Sequence, residues 1–325
     1  MVALPEVIER RREYSERRIE ELRAAIAAID EVAQRPPLAI YATGSYGRLE
    51  ASERSDLDVF FVHGDVEPPM SRIRKTLIDA DLIRLSRRLE FPEFSGDGKY
   101  LTVHSVGKMK SALGTPRDDF ENLFTARILL LLESVPLAGD ELYDSVIRDI
   151  VATYYRDFAE HADDFRPLFL INDIIRFWRT VCLNYESTRH GTLDDAAKQK
   201  ARVRNLKLKF SRSFTCFSAV LLLVKNGHVV TPDEVAELVE LPPSDRVIEA
   251  ARDVERGDEL AEEILAEYSW FLSATARDEH ELRQWIRDEA NHKEALEHAR
   301  AFGRSLYNLL EAVASREDAM RYLVI

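Results

Sequence analysis

The sequence predicts an α+β chain: a small α/β domain with a mixed sheet over residues 1–139, then an all-α helical bundle over residues 140–325. Two observations carry that division. Short apolar runs broken by Gly, Ser and Pro alternate with helical patterns in the first third of the chain, the signature of mixed architecture. From Asp118 onward helical periodicity dominates with hardly a strand-like run, and Pro136 and Gly139 mark the boundary.

Each element follows from local pattern. Pro5 to Gln34 reads as a charged helix with Val7, Ile19, Leu22, Ile26 and Ile29 on its apolar stripe, stopped by Pro36-Pro37. Leu38 to Ala42 reads as a strand, Gly44-Ser45 as a turn leading into a short helix, and the apolar run ending near His63 as a second strand. Ser71 to Leu89 reads as a crossover helix. Phe91 to Gly98 is a loop punctuated by Pro92, Gly96 and Gly98, and Tyr100 to Val106 is a third strand. Beyond it the expected helices are Asp118–Glu133, Glu141–Phe158, Phe169–Tyr185, Ala196–Asn226, Pro232–Val239, Asp245–Ala274 and Glu279–Ala314.

Composition narrows the function classes. Hydrophobic residues make up 46% of the 325, enough for a packed core, and the formal net charge of -13 argues against a general nucleic-acid coat. The two cysteines, Cys182 and Cys216, form no CxxC pattern and sit in apolar helical contexts. They read as buried free thiols, with no disulfide-linked partner and a reducing, cytoplasmic setting. The N-terminal stretch is rich in Arg and Glu and has no apolar signal core. The longest apolar runs, Ile128–Leu132 and Ala219–Val224, are far too short for a bilayer, so no membrane partner is expected.

The candidate site is Gly44-Ser45-Tyr46-Gly47-Arg48-Leu49-Glu50, followed by Ser55-Asp56-Leu57-Asp58. On a strand, side chains at i and i+2 share a face. Asp56 and Asp58 are therefore expected side by side at a strand's start, just past a turn whose amides suit phosphate. That combination suits Mg²⁺-assisted attack on a nucleoside triphosphate. Arg48 has two readings, contact with phosphate or a lock on the turn through Glu50. Tyr46 packs over the site or over the next helix, and His104 points into the scaffold or pairs locally.

These residues resemble the DNA polymerase β-like nucleotidyltransferase superfamily, whose signature is a Gly-Ser turn followed by a D-x-D strand. The likeness is closer to the bacterial PII-uridylyltransferase group and its uncharacterised relatives, where Tyr-Gly-Arg-x-Glu and Ser-Asp follow the turn. It continues through Asp97-Gly98-x4-Val103-His104-Ser105-Val106, Glu121-Asn122-x3-Ala126-Arg127-x-Leu129 and Leu137-Ala138-Gly139-Asp140, and so covers roughly the first half of the chain. The His-Asp metal-hydrolase signature and the C-terminal sensor modules of full-length uridylyltransferases are not in this sequence.

The resemblance implies transfer of a nucleoside monophosphate from an NTP, ATP included, to an acceptor. Gly44 and Ser45 would cradle the phosphates. Asp56 and Asp58 would hold Mg²⁺, with Mn²⁺ as the alternative ion. A third carboxylate would complete the metal set and activate the acceptor hydroxyl; Asp97 is the candidate and Glu93 the reserve. A protein side chain is the favoured acceptor, with tRNA ends and small molecules as the others.

Three further features lie in or near the helical half. Lys198 to Arg212 holds seven basic residues and no acid, and Lys200, Arg204 and Lys207 share a helix face. This reads either as a solvated face or as a surface for phosphate or an acidic acceptor, with Lys207 a candidate nucleotide contact. Arg176 and Arg179, three apart among apolar residues, read as structural ion pairs or as anion ligands, and Arg176 is a second candidate nucleotide contact. Arg156-x4-His161 and Arg287-x4-His292 resemble the motif of HEPN ribonucleases. They imply an alternative, a toxin–antitoxin component with a HEPN-like helical half. The non-enzyme alternative is a nucleotide-binding regulatory pseudoenzyme with an incomplete metal site.

Overall fold

The computed structural model of the chain describes residues 2–34, 37–64, 70–92, 101–189, 194–225 and 229–314. They form an α+β protein that divides into two compact units. One unit comprises residues 10–162 and 231–242 and contains the sheet. The other comprises residues 1–9, 163–230 and 243–325, and its regular elements among the described residues are all helices. No helix among the described residues is long and apolar enough to cross a membrane.

Most of α1 (Glu6–Ile26), from Arg10 onward, belongs to the first unit and is followed by a single turn, α2 (Asp30–Ala33). Strand β1 (Leu38–Thr43) leads into the short helix α3 (Gly44–Gly47), and β2 (Asp58–His63) pairs antiparallel with β1. Helix α4 (Arg72–Arg88) is the expected crossover, and β3 (Val103–Ser105) then lies parallel to β2. Next come α5 (Val106–Ser111), α6 (Pro116–Phe120), α7 (Leu123–Leu132), β4 (Val135–Ala138) and α8 (Asp140–Tyr154). Strand order is β3-β2-β1-β4.

The sheet alternates as the strand period requires. Leu38, Ile40, Ala42, Val59 and Phe61 form one core with Ile19, Leu22 and Ile26 of α1 and Ile78, Leu82 and Leu85 of α4. On the other face Tyr41 stacks on Phe60 and meets Tyr143 of α8, with ring centroids 5.8 and 5.9 Å apart. All six residues of β1 are buried, as befits an interior strand covered on both sides.

Strand β4 is the element that sequence pattern hid. Its stretch reads as a stop because it is short and carries Pro136. Proline has no N–H for a ladder and is tolerated at an edge, which is where β4 lies, antiparallel to β1 with an irregularity at Ile40/Tyr41. Gly139 ends the strand at φ +75°, where a Cβ would lie 2.3 Å from the Leu38 carbonyl oxygen, so only glycine fits.

The expected helix over 118–133 is two helices, because Asn122 adopts φ 57° between them. Arg127 of α7 clamps the surrounding helices. Its guanidinium donates to both Asp118 carboxylate oxygens at 2.8 and 2.6 Å, to the Tyr154 hydroxyl at 2.9 Å and to the Met109 carbonyl at 3.2 Å. Arg127 and Asp118 are wholly buried, so each depends on the other for its charge.

The helical unit contains α9 (Leu168–Arg189), α10 (Asp195–Lys207) and α11 (Ser213–Leu223), the last two joined by a π-helical segment at Leu208–Arg212. Helix α12 (Pro232–Glu240) belongs to the first unit, where it packs on α7 and α8. The expected helix over 245–274 breaks into α13 (Pro243–Ala251) and α14 (Gly257–Ala274). Asp253 and Arg256 take positive φ in the turn, and a Cβ on Gly257 would meet the Ala251 carbonyl oxygen at 2.1 Å. The last expected helix splits into α15 (Glu279–Arg287) and α16 (Glu289–Val313), because the Asp288 carboxylate caps the Ala290 and Asn291 amides. Phe210, Phe214, Tyr268, Phe271 and Phe302 stack at the centre of this unit.

Replacing Arg127 strands the Asp118 carboxylate in the core. Arg127→Leu is expected to cost about 3–5 kcal/mol, the range for breaking a buried ion pair. Urea denaturation of the purified variant measures it, and a loss under about 1 kcal/mol would show that the clamp is dispensable.

Candidate functional site

The turn after β1 is built from hydrogen bonds that the sequence spacing allows. The Arg48 amide donates to the Gly44 carbonyl at 3.0 Å, Leu49 to Tyr46 at 3.1 Å and Glu50 to Ser45 at 2.8 Å. Leu49 takes φ 56°, so the chain reverses there without a glycine. Ser15 of α1 anchors the exit, accepting from the Ala51 amide at 2.9 Å. Tyr46 is buried in the core beside Phe91, ring centroids 5.6 Å apart, which settles its direction as inward. Burial raises its phenol pKa, with Tyr14 adding to the rise.

Gly44 itself adopts φ +67°, and a Cβ built on it would lie 3.0 Å from Asp58 Oδ2. The pairing of Thr43 with Asp58 in the β1–β2 ladder brings the carboxylate over the turn. Asp58 is the first residue of β2 and half-buried; Asp56 lies two residues before the strand and is exposed. The expectation that both stand on the strand therefore holds for Asp58 alone. Ser55 works locally, its hydroxyl accepting from the Ser52 amide at 3.0 Å. Ser45 is half-buried in the first turn of α3.

Arg48 follows the locking alternative. It is 7% exposed, and its guanidinium donates to Glu50 at 2.9 Å and to Glu133 at 2.5 Å. Beside it a Cβ on Gly47 would fall 2.0 Å from the Glu133 carbonyl oxygen. Glu133 was invisible to motif reasoning, since it lies 85 residues from its partner. Asp140, at the end of the resembling pattern, likewise pairs with Arg23 of α1 at 2.7 Å. The motif residues thus divide into a face around Gly44, Ser45 and Asp58 and a scaffold of Gly47, Arg48, Glu50 and Asp140.

Asp97 and Glu93, the candidates for a third carboxylate, lie outside the described residues. Among the described residues no three His, Cys, Asp or Glu side chains gather as a metal site. Lys207 and Arg176 belong to the helical unit, on α10 and α9. Lys207 is exposed, as are Lys200 and Arg204 on the same helix, whereas Arg176 reaches Asp173 at 3.6 Å. Of the two HEPN-like patterns, Arg156 and His161 are exposed in the turns after α8, and Arg287 and His292 fall on two different helices. The two patterns also lie in different units.

His104 extends the aromatic row of Tyr41 and Phe60. It is buried and stacks on Phe60, centroids 6.1 Å apart. Burial pushes its pKa from 6.5 to about 4, so the ring is neutral at physiological pH.

No protein-family model matches the chain, and no curated protein is significantly similar to it.

The His104 shift implies a pH dependence of stability. An unfolded histidine takes up a proton below pH 6.5, while the folded one resists until about 4. The contribution is full above 6.5, shrinks as pH falls through that window and is gone at about 4. The expected loss is about 3 kcal/mol. Urea midpoints at several pH values, compared with His104→Phe, read it out, and an equal slope in both proteins would assign the loss elsewhere.

Proposed function

We propose that the chain is a metal-dependent nucleotidyltransferase that moves an NMP from an NTP to an acceptor and releases pyrophosphate. The observation that carries this reading is the meeting of Gly44 and Asp58. At this positive-φ glycine a Cβ would press on the Asp58 carboxylate, so the glycine is what lets backbone and carboxylate approach so closely. Backbone amides of a tight turn beside a hard oxygen donor are what a metal-bound triphosphate needs.

The oxygen donors of Asp56 and Asp58 suit Mg²⁺ or Mn²⁺, and the turn at Gly44 and Ser45 would hold the phosphates. When bound, the cation would neutralise charge on the phosphates. Ser45 would donate its hydroxyl to a phosphate oxygen and fix the triphosphate in line. An acceptor oxygen then attacks the α-phosphorus, its bond forms as the bond to pyrophosphate breaks, and a nearby base takes the proton. Arg48, Glu50 and Glu133 hold the turn rigid, so that the amides are aimed before substrate arrives.

A protein side chain is the favoured acceptor, with a tRNA end or small molecule as the others. The exposed Lys200, Arg204 and Lys207 make no ion pair with a described residue, which suits an acidic acceptor surface.

Incubation with each α-labelled NTP, Mg²⁺ and cell extract tests the proposal by identifying what carries the label. NTP binding without any labelled product would instead assign a nucleotide-sensing role. Asp56→Asn with Asp58→Asn is expected to abolish transfer while the circular-dichroism spectrum stays that of the folded protein, because both oxygen donors to the cation lose their charge. Transfer at the wild-type rate would refute the site. Ser45→Ala should weaken binding of a non-hydrolysable NTP by about 1.5–3 kcal/mol, the worth of a hydrogen bond to a charged group. Titration calorimetry measures it, and an unchanged affinity would remove Ser45 from the cradle.

A further inference from the structure

Two unusual features of the helical unit, an interior helix glycine and a π segment, meet around one cavity. Gly303 lies in the interior of α16, where glycine is less stable than alanine, yet a Cβ there would meet nothing within 4 Å. No packing constraint therefore calls for the glycine. The π-helical segment Leu208–Arg212 interrupts an otherwise continuous helix, and such turns recur at functional sites. Gly303 and Lys209 of the π segment both line the same cavity, about 280 Å³ in volume.

Its walls are apolar. Trp178 of α9 and Phe217 of α11 meet edge to face, centroids 5.8 Å apart, and Leu306 and Leu310 of α16 stand among the remaining lining residues. Two of the polar lining groups are engaged within the protein. The Ser213 hydroxyl donates to the Lys209 carbonyl at 2.6 Å, and the Tyr307 hydroxyl donates to Glu311 at 2.6 Å. The exposed Lys209 ammonium makes no ion pair with a described residue.

We propose that this cavity binds a small aromatic carboxylate, its ring against Trp178 and Phe217 and its carboxylate on Lys209. A mostly apolar cleft with a charged group at its edge is a common form of small-molecule site, and the volume, just below the common range of about 300–1,000 Å³, suits one or two rings. The lysine supplies the charge complement that selects an acid over a neutral ring. The site uses none of the residues assigned to nucleotide transfer, so it stands or falls apart from that reading.

Titration calorimetry of the full chain with 2-naphthoate and with 2-naphthalenemethanol tests it. The acid is expected to bind saturably and about tenfold more tightly than the alcohol. Lys209→Met should erase that preference. Gly303→Leu should fill the cavity and abolish binding of both, with no fall in melting temperature, because its side chain enters open space. Absence of saturable naphthoate binding would overturn the proposal, as would undiminished binding in Gly303→Leu. An acid preference that survives Lys209→Met would overturn the assigned role of the lysine.

Discussion

The sheet-containing unit depends on one buried charge cluster. Arg48 lies between the carboxylates of Glu50 and Glu133, all three almost fully removed from water. Burying two acids and one base is costly unless each finds its partners, so the cluster forms only when the turn after β1 meets the end of α7 correctly. Gly47 adds a steric condition at the same spot, since any side chain would strike the Glu133 backbone. Position is thereby imposed on the turn that carries Gly44 and Ser45. Beneath it the ladder pairs Thr43 with Asp58, and the carboxylate arrives over Gly44 as a consequence of register.

Much of this was legible in the amino-acid order, for identifiable reasons. Residues 38–63 announced two strands and a turn because β1 and β2 are apolar and bounded by small residues. The crossover helix α4 carried its own start signal, Ser71, whose hydroxyl accepts from the Arg74 amide. The juxtaposition of Asp58 with the turn followed from a motif whose members are close in sequence. Long-range partners left no such trace. Nothing local in Glu133 distinguishes it from a surface acid, and Ser15 looks like any polar residue on a charged helix until Ala51 is brought to it. Strand β4 was lost because its proline speaks against a strand everywhere except at an edge, and edges are decided by tertiary structure.

The helical half shows the opposite limitation of pattern reading. Periodicity located its helices but ran them together, because breaks at Arg256-Gly257 and at Asp288 need only one or two residues and barely disturb an apolar repeat. The π segment left no mark in the pattern either, since one extra residue per turn keeps Leu206, Phe210 and Phe214 all buried.

The sheet-containing unit is also discontinuous along the chain. Helix α12 packs against α7 and α8, yet it is separated from them by residues 163–230, which belong to the helical unit. On the ribosome, where domains tend to fold as they emerge, the sheet and its flanking helices are made well before the segment that completes them. The exposed backs of α7 and α8 must wait for some seventy further residues to be synthesised. A nascent chain stalled in that interval would present an uncovered apolar surface, and it is there that a chaperone would find its substrate.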